Sequence, residues 1–308
     1  MEKVLITGGA GFIGSHTADL IMQQGTPVRV LDNLSSGHRH NLPDSHPLLE
    51  FIEGDICDRN TVDAAMQGVS HCLHLAAQVS VVASLDDPGF SAQQNILGFV
   101  NVLDACRVQG VQRLVYASSA AIYGEPASLP LAEDAPAAQL SPYGLEKKIN
   151  EQYCDLYRRL YGFSSLGMRF FNVFGPRQDP KSPYAGVIAL FVDRIRDNQP
   201  LTIFGDGKQT RDFIYVGDVA RSNLAALQGG LQSACNVATG HSTSLLDLVE
   251  SLSRLTGNKP EISFAAPREG DIVHSLASPQ RMNQQLEVVA ETDLDTGLAR
   301  LLESVKNG

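Results

Sequence analysis

Short, nearly unbroken apolar runs recur through the first 170 positions of the chain, at 3–7, 27–31, 49–53, 70–75, 112–117 and 164–169. Continuous apolarity, rather than strict alternation, is expected of strands covered on both faces. Between these runs lie stretches with helical spacing, at 11–24, 59–67, 89–109 and 142–161. Alternating strand and helix with short links predicts an α/β fold built on a doubly wound parallel sheet, with ligands at the carboxyl ends of its strands. After Asn172 the texture changes. Prolines and glycines fall at 175–176, 180, 183, 186, 200, 205 and 207, and the helices shorten. The expected division is a main domain over 1–171, to which a strand–helix pair at 212–227 returns, and a smaller C-terminal lobe over 172–308.

The helix over 142–161 carries two distinct faces. Tyr143 and Lys147 share one by i, i+4 spacing, and Leu145, Ile149, Leu156 and Leu160 form a stripe roughly opposite. Both faces want a partner. Packing within the monomer and a helix-mediated homodimer each satisfy the stripe.

Composition narrows the partners. A 308-residue chain with 43% apolar and 19% charged residues is an ordinary globular protein, with room for a large domain and an appended lobe. Its 24 basic and 34 acidic residues give a net charge of −10. Nucleic acid and anionic membrane, which need a basic face, are therefore not the expected partners. Five cysteines, Cys57, Cys72, Cys106, Cys154 and Cys235, are widely spaced without a C-x-x-C pair, and the histidines show no metal-ligand spacing. The expectation is reduced thiols, no metal, no membrane span and a cytoplasmic location.

The most informative motif lies where the first strand ends. Gly8, Gly11 and Gly14 follow Val4–Thr7 and open the first helix, which places unpaired backbone N–H groups and a positive dipole end before a pyrophosphate. The second strand closes on Asp32, 18 residues after Gly14. A carboxylate there accepts hydrogen bonds from a ribose and repels a 2′-phosphate, so the site is a Rossmann-type dinucleotide site for NAD rather than NADP. Residues 1–171 thus read as a dinucleotide-binding domain.

Tyr143 and Lys147 form Y-x-x-x-K. One turn apart, an ammonium stabilises phenolate and lowers a pKa ordinarily near 10, so that a tyrosine takes a proton from a sugar hydroxyl near neutral pH. The run Leu114–Gly124 is a strand emptying into small hydroxyl residues, which brings Ser119 to the same ligand edge. His74–Gln78 ends another strand with residues small enough for backbone to meet a cofactor.

The runs Thr7–Gly14, Asp32–Gly37, Gly54–Ile56, His74–Ala77, Ser118–Gly124, Ser141–Lys147 and Arg169–Pro176 occur in this order. So do Ile203–Gly207, Arg211–Ile214, Asp218–Val219 and Pro267–Asp271. Together they cover nearly the whole chain, which resembles the extended short-chain dehydrogenase/reductases acting on nucleotide sugars. The resemblance implies that Ser119, Tyr143 and Lys147 are the catalytic set. It implies NAD contacts from Gly8, Gly11, Phe12, Ile13, Gly14, Asp32, Asn33, Ser35, Gly37, Asp55, Ile56, Leu75, Ala76, Ala77, Gln78, Tyr143, Lys147 and Phe170. Ser119, Asn172, Gly186, Val187, Thr202, Phe204, Arg211, Arg268, Asp271 and Ser275 would hold a UDP-sugar, two arginines answering the diphosphate in an otherwise acidic protein.

Relatives that dehydrate the sugar carry Asp-Glu after the catalytic hydroxyl residue, where this chain has Ala120 and Ala121. The economical reading is a 4-epimerase working through a 4-keto sugar. In related epimerases a tyrosine near the P-R-x-G-D segment excludes N-acetyl sugars, and the matching residue here is the small Ser275. The chain resembles the bacterial UDP-N-acetylglucosamine 4-epimerases of exopolysaccharide pathways. The alternatives are a UDP-glucose/UDP-galactose or UDP-uronic acid 4-epimerase, a decarboxylase, and more remotely a non-catalytic NAD-sensing protein.

Overall fold

A computed structural model of the chain describes residues 1–179, 186–267 and 272–306. Its centre is a seven-stranded sheet. The strands are β1 (Val4–Thr7), β2 (Val28–Asp32), β3 (Leu49–Glu53), β4 (His71–His74), β5 (Arg113–Ser119), β6 (Ser165–Phe170) and β11 (Ser233–Val237). They lie in the order β3-β2-β1-β4-β5-β6-β11. Every neighbouring pair is parallel. The strand order reverses at β1, which lies between β2 and β4 and so marks the switch point where such sheets open a ligand crevice.

Helices cover both faces, which explains the unbroken apolar strands. On one face α1 (Phe12–Gln23) packs beside α8 (Val216–Gln228), with Ala18 and Ile21 against Val219, Leu224 and Leu227. On the other, α2 (Arg59–Met66), α5 (Gly98–Val108) and α6 (Pro142–Tyr161) bury Val62, Met66, Val102, Leu103 and Cys154. The helix read from sequence over 89–109 is not uniform. It runs as α4 (Pro88–Ala92), a π-turn over Gln93–Leu97 and then α5, preceded by the short α3 (Val81–Asp86).

The smaller lobe has its own core of Phe174, Ile188, Phe191, Ile195, Leu201, Leu248 and Leu298. It is built from α7 (Val187–Arg196), α9 (Leu245–Thr256), α11 (Leu294–Lys306) and three short strand pairs. These pairs are β7 (Asn172–Phe174) with β10 (Phe213–Tyr215), β8 (Leu201–Phe204) with β13 (Ile262–Ala265), and β9 (Thr210–Arg211) with β12 (Thr243–Ser244). The short α10 (Gln280–Gln285) lies against β11. The chain thus returns twice to the main layer, through α8 and then through β11. No helix among the described residues is long and apolar enough to cross a membrane.

Candidate active site

The glycine turn after β1 is shaped by close approach. Gly8 sits at φ +70°, and a Cβ there would come within 2.6 Å of the Ala76 amide nitrogen. A Cβ on Gly14 would fall onto the Gly8 carbonyl. Neither position admits a side chain, so the backbone forms a bare cradle at the N-terminus of α1, a helix with no side-chain cap of its own. Asp32 closes the cradle from β2. Its two carboxylate oxygens accept from the Ala10 and Leu34 amides, each at 2.9 Å. Burial pushes its pKa up, and those two N–H groups and His38 pull it back. Beside it, Asn33 donates to Asp55 at 3.1 Å and Asp55 accepts from the Cys57 amide at 2.8 Å, which sets Ile56 against the core.

Cradle and carboxylate suit a dinucleotide. The bare N–H groups fit a pyrophosphate, and the lone pairs left on Asp32 fit ribose hydroxyls. Asn33, Ser35, Gly37, Asp55 and Ile56 lie along the ends of β2 and β3. Leu75, Ala76, Ala77 and Gln78 follow β4, and Phe170 ends β6. Buried between them, Thr7 and His74 share a 2.7 Å hydrogen bond. Burial and the charge of Lys147 push His74 down to about 3, so it stays neutral.

At the same edge, α6 begins with a Ser141 cap, whose hydroxyl accepts from the Gly144 amide at 3.1 Å, and with Pro142 in its first turn. The Tyr143 amide donates to Ser84 Oγ of α3 at 3.2 Å. These bonds fix the first turn. Tyr143 stands beside the turn after β5, where Ser119 Oγ accepts from the Ala121 amide at 3.1 Å and lies close enough to the phenol to influence its ionisation. Lys147 Nζ lies 5.7 Å from the Tyr143 ring centroid and is 2% exposed. Structure therefore brings the three predicted catalytic residues together.

The electrostatics differ from the expectation of a lowered phenol. Burial raises the Tyr143 pKa above its ordinary value; Ser119 opposes this and Glu146 adds to it. Lys147 is itself pushed down to about 8 by burial, with Glu146 opposing. For both groups desolvation is the largest effect, and it disfavours the charged form of each.

Of the residues expected to hold a nucleotide sugar, Asn172, Gly186, Val187, Thr202, Phe204, Arg211 and Ser275 fall in the C-terminal part of the chain. A groove of about 650 Å³ is lined by Phe204, Asp206, Gln209, Phe264, Pro267 and Val273. Arg211 donates to the Thr210 and Val273 carbonyls at 2.9 and 3.4 Å, on the strip where Thr210 bridges His274. Ser275 follows directly, buried, its amide donating to the Thr210 carbonyl at 3.1 Å. Gly186 and Val187 form the N-terminus of α7, and Asn172 opens β7. Thr202 points outward and bonds Ser263 at 3.2 Å. Arg268 and Asp271 lie outside the described residues. Among those described, no cluster of ligating side chains could hold a metal ion.

Residues 4–238 match the model of the NAD dependent epimerase/dehydratase family. The chain belongs to that family. A putative UDP-glucose 4-epimerase of Methanocaldococcus jannaschii is 41% identical over 99% of this chain and 98% of its own. The structure of a UDP-N-acetylglucosamine 4-epimerase from Methanobrevibacter ruminantium, in complex with UDP-N-acetylmuramic acid, superimposes with a TM-score of 0.96 at 34% identity, covering 99% and 98% of the two chains. A Thermotoga maritima UDP-glucose 4-epimerase with UDP-glucose gives 0.95 at 36% identity over 99% of each. Membership makes this chain an enzyme of the extended short-chain dehydrogenase/reductase type with NAD as its cofactor.

Several residues that build the site were not singled out by the sequence motifs. Asn41 donates to the Ala10 carbonyl at 2.9 Å and braces the glycine turn, and Ser84 braces α6. Glu146 and Asn95 are buried and hydrogen-bonded to each other at 2.7 Å. Of these, Glu146 left a sequence signal, as an acid on α6 between Tyr143 and Lys147.

Proposed function

We propose that the protein is an NAD-dependent UDP-sugar 4-epimerase whose substrates are UDP-N-acetylglucosamine and its galacto epimer. The observation that carries the reaction type is one acid–base cluster followed by inert positions: Ser119, Tyr143 and Lys147 converge, and Ala120 and Ala121 supply no group for elimination. NAD, when bound, supplies the hydride acceptor and donor at C4. Tyr143 takes the proton of the C4 hydroxyl and returns it to the same oxygen. Ser119, accepting from the Ala121 amide, keeps its own hydrogen free to donate to that oxygen or to the phenolate. Lys147 holds the negative charge that the phenol acquires. No second base is needed, because one oxygen loses and regains one proton.

In this reading 1–171, with 212–227, hold NAD and 172–308 hold the nucleotide sugar. Phe204 and the groove around it take the nucleoside, and Arg211, with Arg268, takes the diphosphate. The sugar preference rests on Ser275, a small side chain next to the Arg211 strip, which leaves room for an acetamido group at C2. A second reading, the UDP-glucose/UDP-galactose pair, is favoured by the names of the Methanocaldococcus relative and the Thermotoga structure.

Incubation with UDP-N-acetylglucosamine, UDP-glucose and a UDP-uronic acid, followed by NMR, separates these readings. Faster turnover of the acetylated pair is expected. Ser275→Tyr should then abolish that turnover by steric overlap while sparing the non-acetylated pair. Equal losses on both pairs, or an unchanged ratio, would place the gate elsewhere. Retained NAD with no turnover of any sugar would leave a sensing role.

A further inference from the structure

Glu146 is a buried carboxylate. It is 3% exposed, and no ion pair reaches it among the described residues. Its two hydrogen bonds come from neutral groups, Ser91 Oγ of α4 at 2.8 Å and Asn95 Nδ2 of the π-turn at 2.7 Å, and both fall on the same oxygen, Oε2. A buried charge held only by neutral donors is costly unless something nearby requires it. Its neighbour in sequence is Lys147, also buried and also without an ion pair among the described residues.

Asn95 extends the link. Its side chain clamps the backbone of Gln78, donating to the carbonyl at 2.8 Å and accepting from the amide at 2.9 Å. Gln78 belongs to the run after β4 that faces the dinucleotide cradle. The π-turn over Gln93–Leu97 is what presents Asn95 to both partners, and such turns recur at functional sites.

We propose that Glu146 is a positioning residue for the Tyr143–Lys147 pair: through Asn95 and Ser91 it ties α6 to the Gln78 segment and fixes a buried carboxylate next to Lys147 in the chain. The inference rests on the acid–base roles proposed above. Few other charges face the pair. From β4 comes His74, which is neutral; β5 presents Ser119 and the buried phenol of Tyr116; α3, α4 and the π-turn present Ser84, Ser91 and Asn95. Farther along α6, Glu151 is already bound by Arg169 of β6. Glu146 is therefore the one uncancelled acid, among the described residues, acting on both Lys147 and Tyr143, and it favours the cation and disfavours the phenolate.

Removing the carboxylate lowers the pKa of Lys147 and lowers that of Tyr143, so both limbs of the pH–rate profile move toward acid. Glu146→Gln separates charge from anchoring, because an amide oxygen in place of Oε2 keeps both hydrogen bonds. Its kcat profile should shift by about one pH unit toward acid, with the largest loss on the alkaline side. Asn95→Ala keeps the charge and cuts the clamp; kcat should fall with the limbs unmoved. A readout independent of turnover is the phenolate absorbance of the NAD-loaded protein titrated against pH, with Tyr143→Phe as blank. The Tyr143 step should shift toward acid in Glu146→Gln. Should that variant not fold, Glu146→Ser, which leaves room for water to meet Ser91 and Asn95, carries the same prediction. Superimposable titrations of wild type and either charge-removing variant would overturn the proposal even if epimerase turnover is normal. A shifted phenolate step without turnover of any UDP-sugar would instead uphold it and sink the substrate reading.

Discussion

Tyr143 is held by three neighbours of different kinds: Ser84 on its amide, Ser119 on its phenol, and Lys147 beneath its ring. Burial works against its ionisation, so the Lys147 ammonium near its ring has to offset that cost if Tyr143 is to act as a base. Tyr143→Phe should keep the fold and bound NAD while epimerisation falls about 10²-fold or more, measured by NMR with purified protein. Near-normal turnover would remove Tyr143 from the mechanism. Ser119→Ala should cost less, and the double variant should cost less than the product of the two, since both act on one oxygen. The pattern Y-x-x-x-K and the serine at a strand end were legible at this scale. The direction of the phenol's shift was not, because desolvation depends on what other elements pack over the residue.

At the scale of elements, α6 is locked to the sheet by ion pairing behind the catalytic face. Glu151, one turn beyond Lys147, accepts two 2.8 Å bonds from Arg169 of β6 and one of 2.8 Å from Ser118. Arg169 also donates to the Tyr123 hydroxyl at 2.8 Å, and Tyr123 donates to Asn236 of β11 at 2.6 Å. The network thus spans β5, α6, β6 and β11. Burial alone would raise the Glu151 pKa, but the Arg169 bonds overcome it and hold the carboxyl below its usual range. A lowered folded pKa means that the stabilisation is complete above the unfolded carboxylate value and is lost as pH falls through the folded one. Arg169→Ala should destabilise the protein by about 3–5 kcal/mol, and denaturant melts should lose part of their dependence on acid pH. A change within error would mean that water replaces the guanidinium. The strands themselves were readable from their apolar runs, and so was α6. The π-turn was not. Helical periodicity continues through 89–109, and only the pull of Asn95 toward Gln78 and Glu146 marks the break.

For the whole molecule, the stripe on α6 is decided by what it lacks within the chain. Leu145 is 49% and Leu160 60% exposed, and Leu97 and Val108 stand uncovered near the two ends of the neighbouring π-turn and α5. Among the described residues nothing covers these side chains, which supports the homodimer reading of the stripe over packing within the monomer. Leu156→Glu with Leu160→Glu should convert a dimer to a monomer in analytical ultracentrifugation with NAD retained. A wild-type protein that sediments as a monomer at micromolar concentration would refute the pairing. The sequence by itself determined the α/β class, the glycine cradle, the acid at the end of β2 and the grouping of Ser119, Tyr143 and Lys147, because each is a local pattern tied to a strand end or a helix turn. Tertiary structure alone decided which strands neighbour one another, with β11 arriving from beyond residue 230 to complete the sheet. It also decided the pairing of Glu151 with Arg169 and the burial of Glu146. These depend on contacts between distant segments and on the exclusion of water, and neither leaves a periodic trace along the chain.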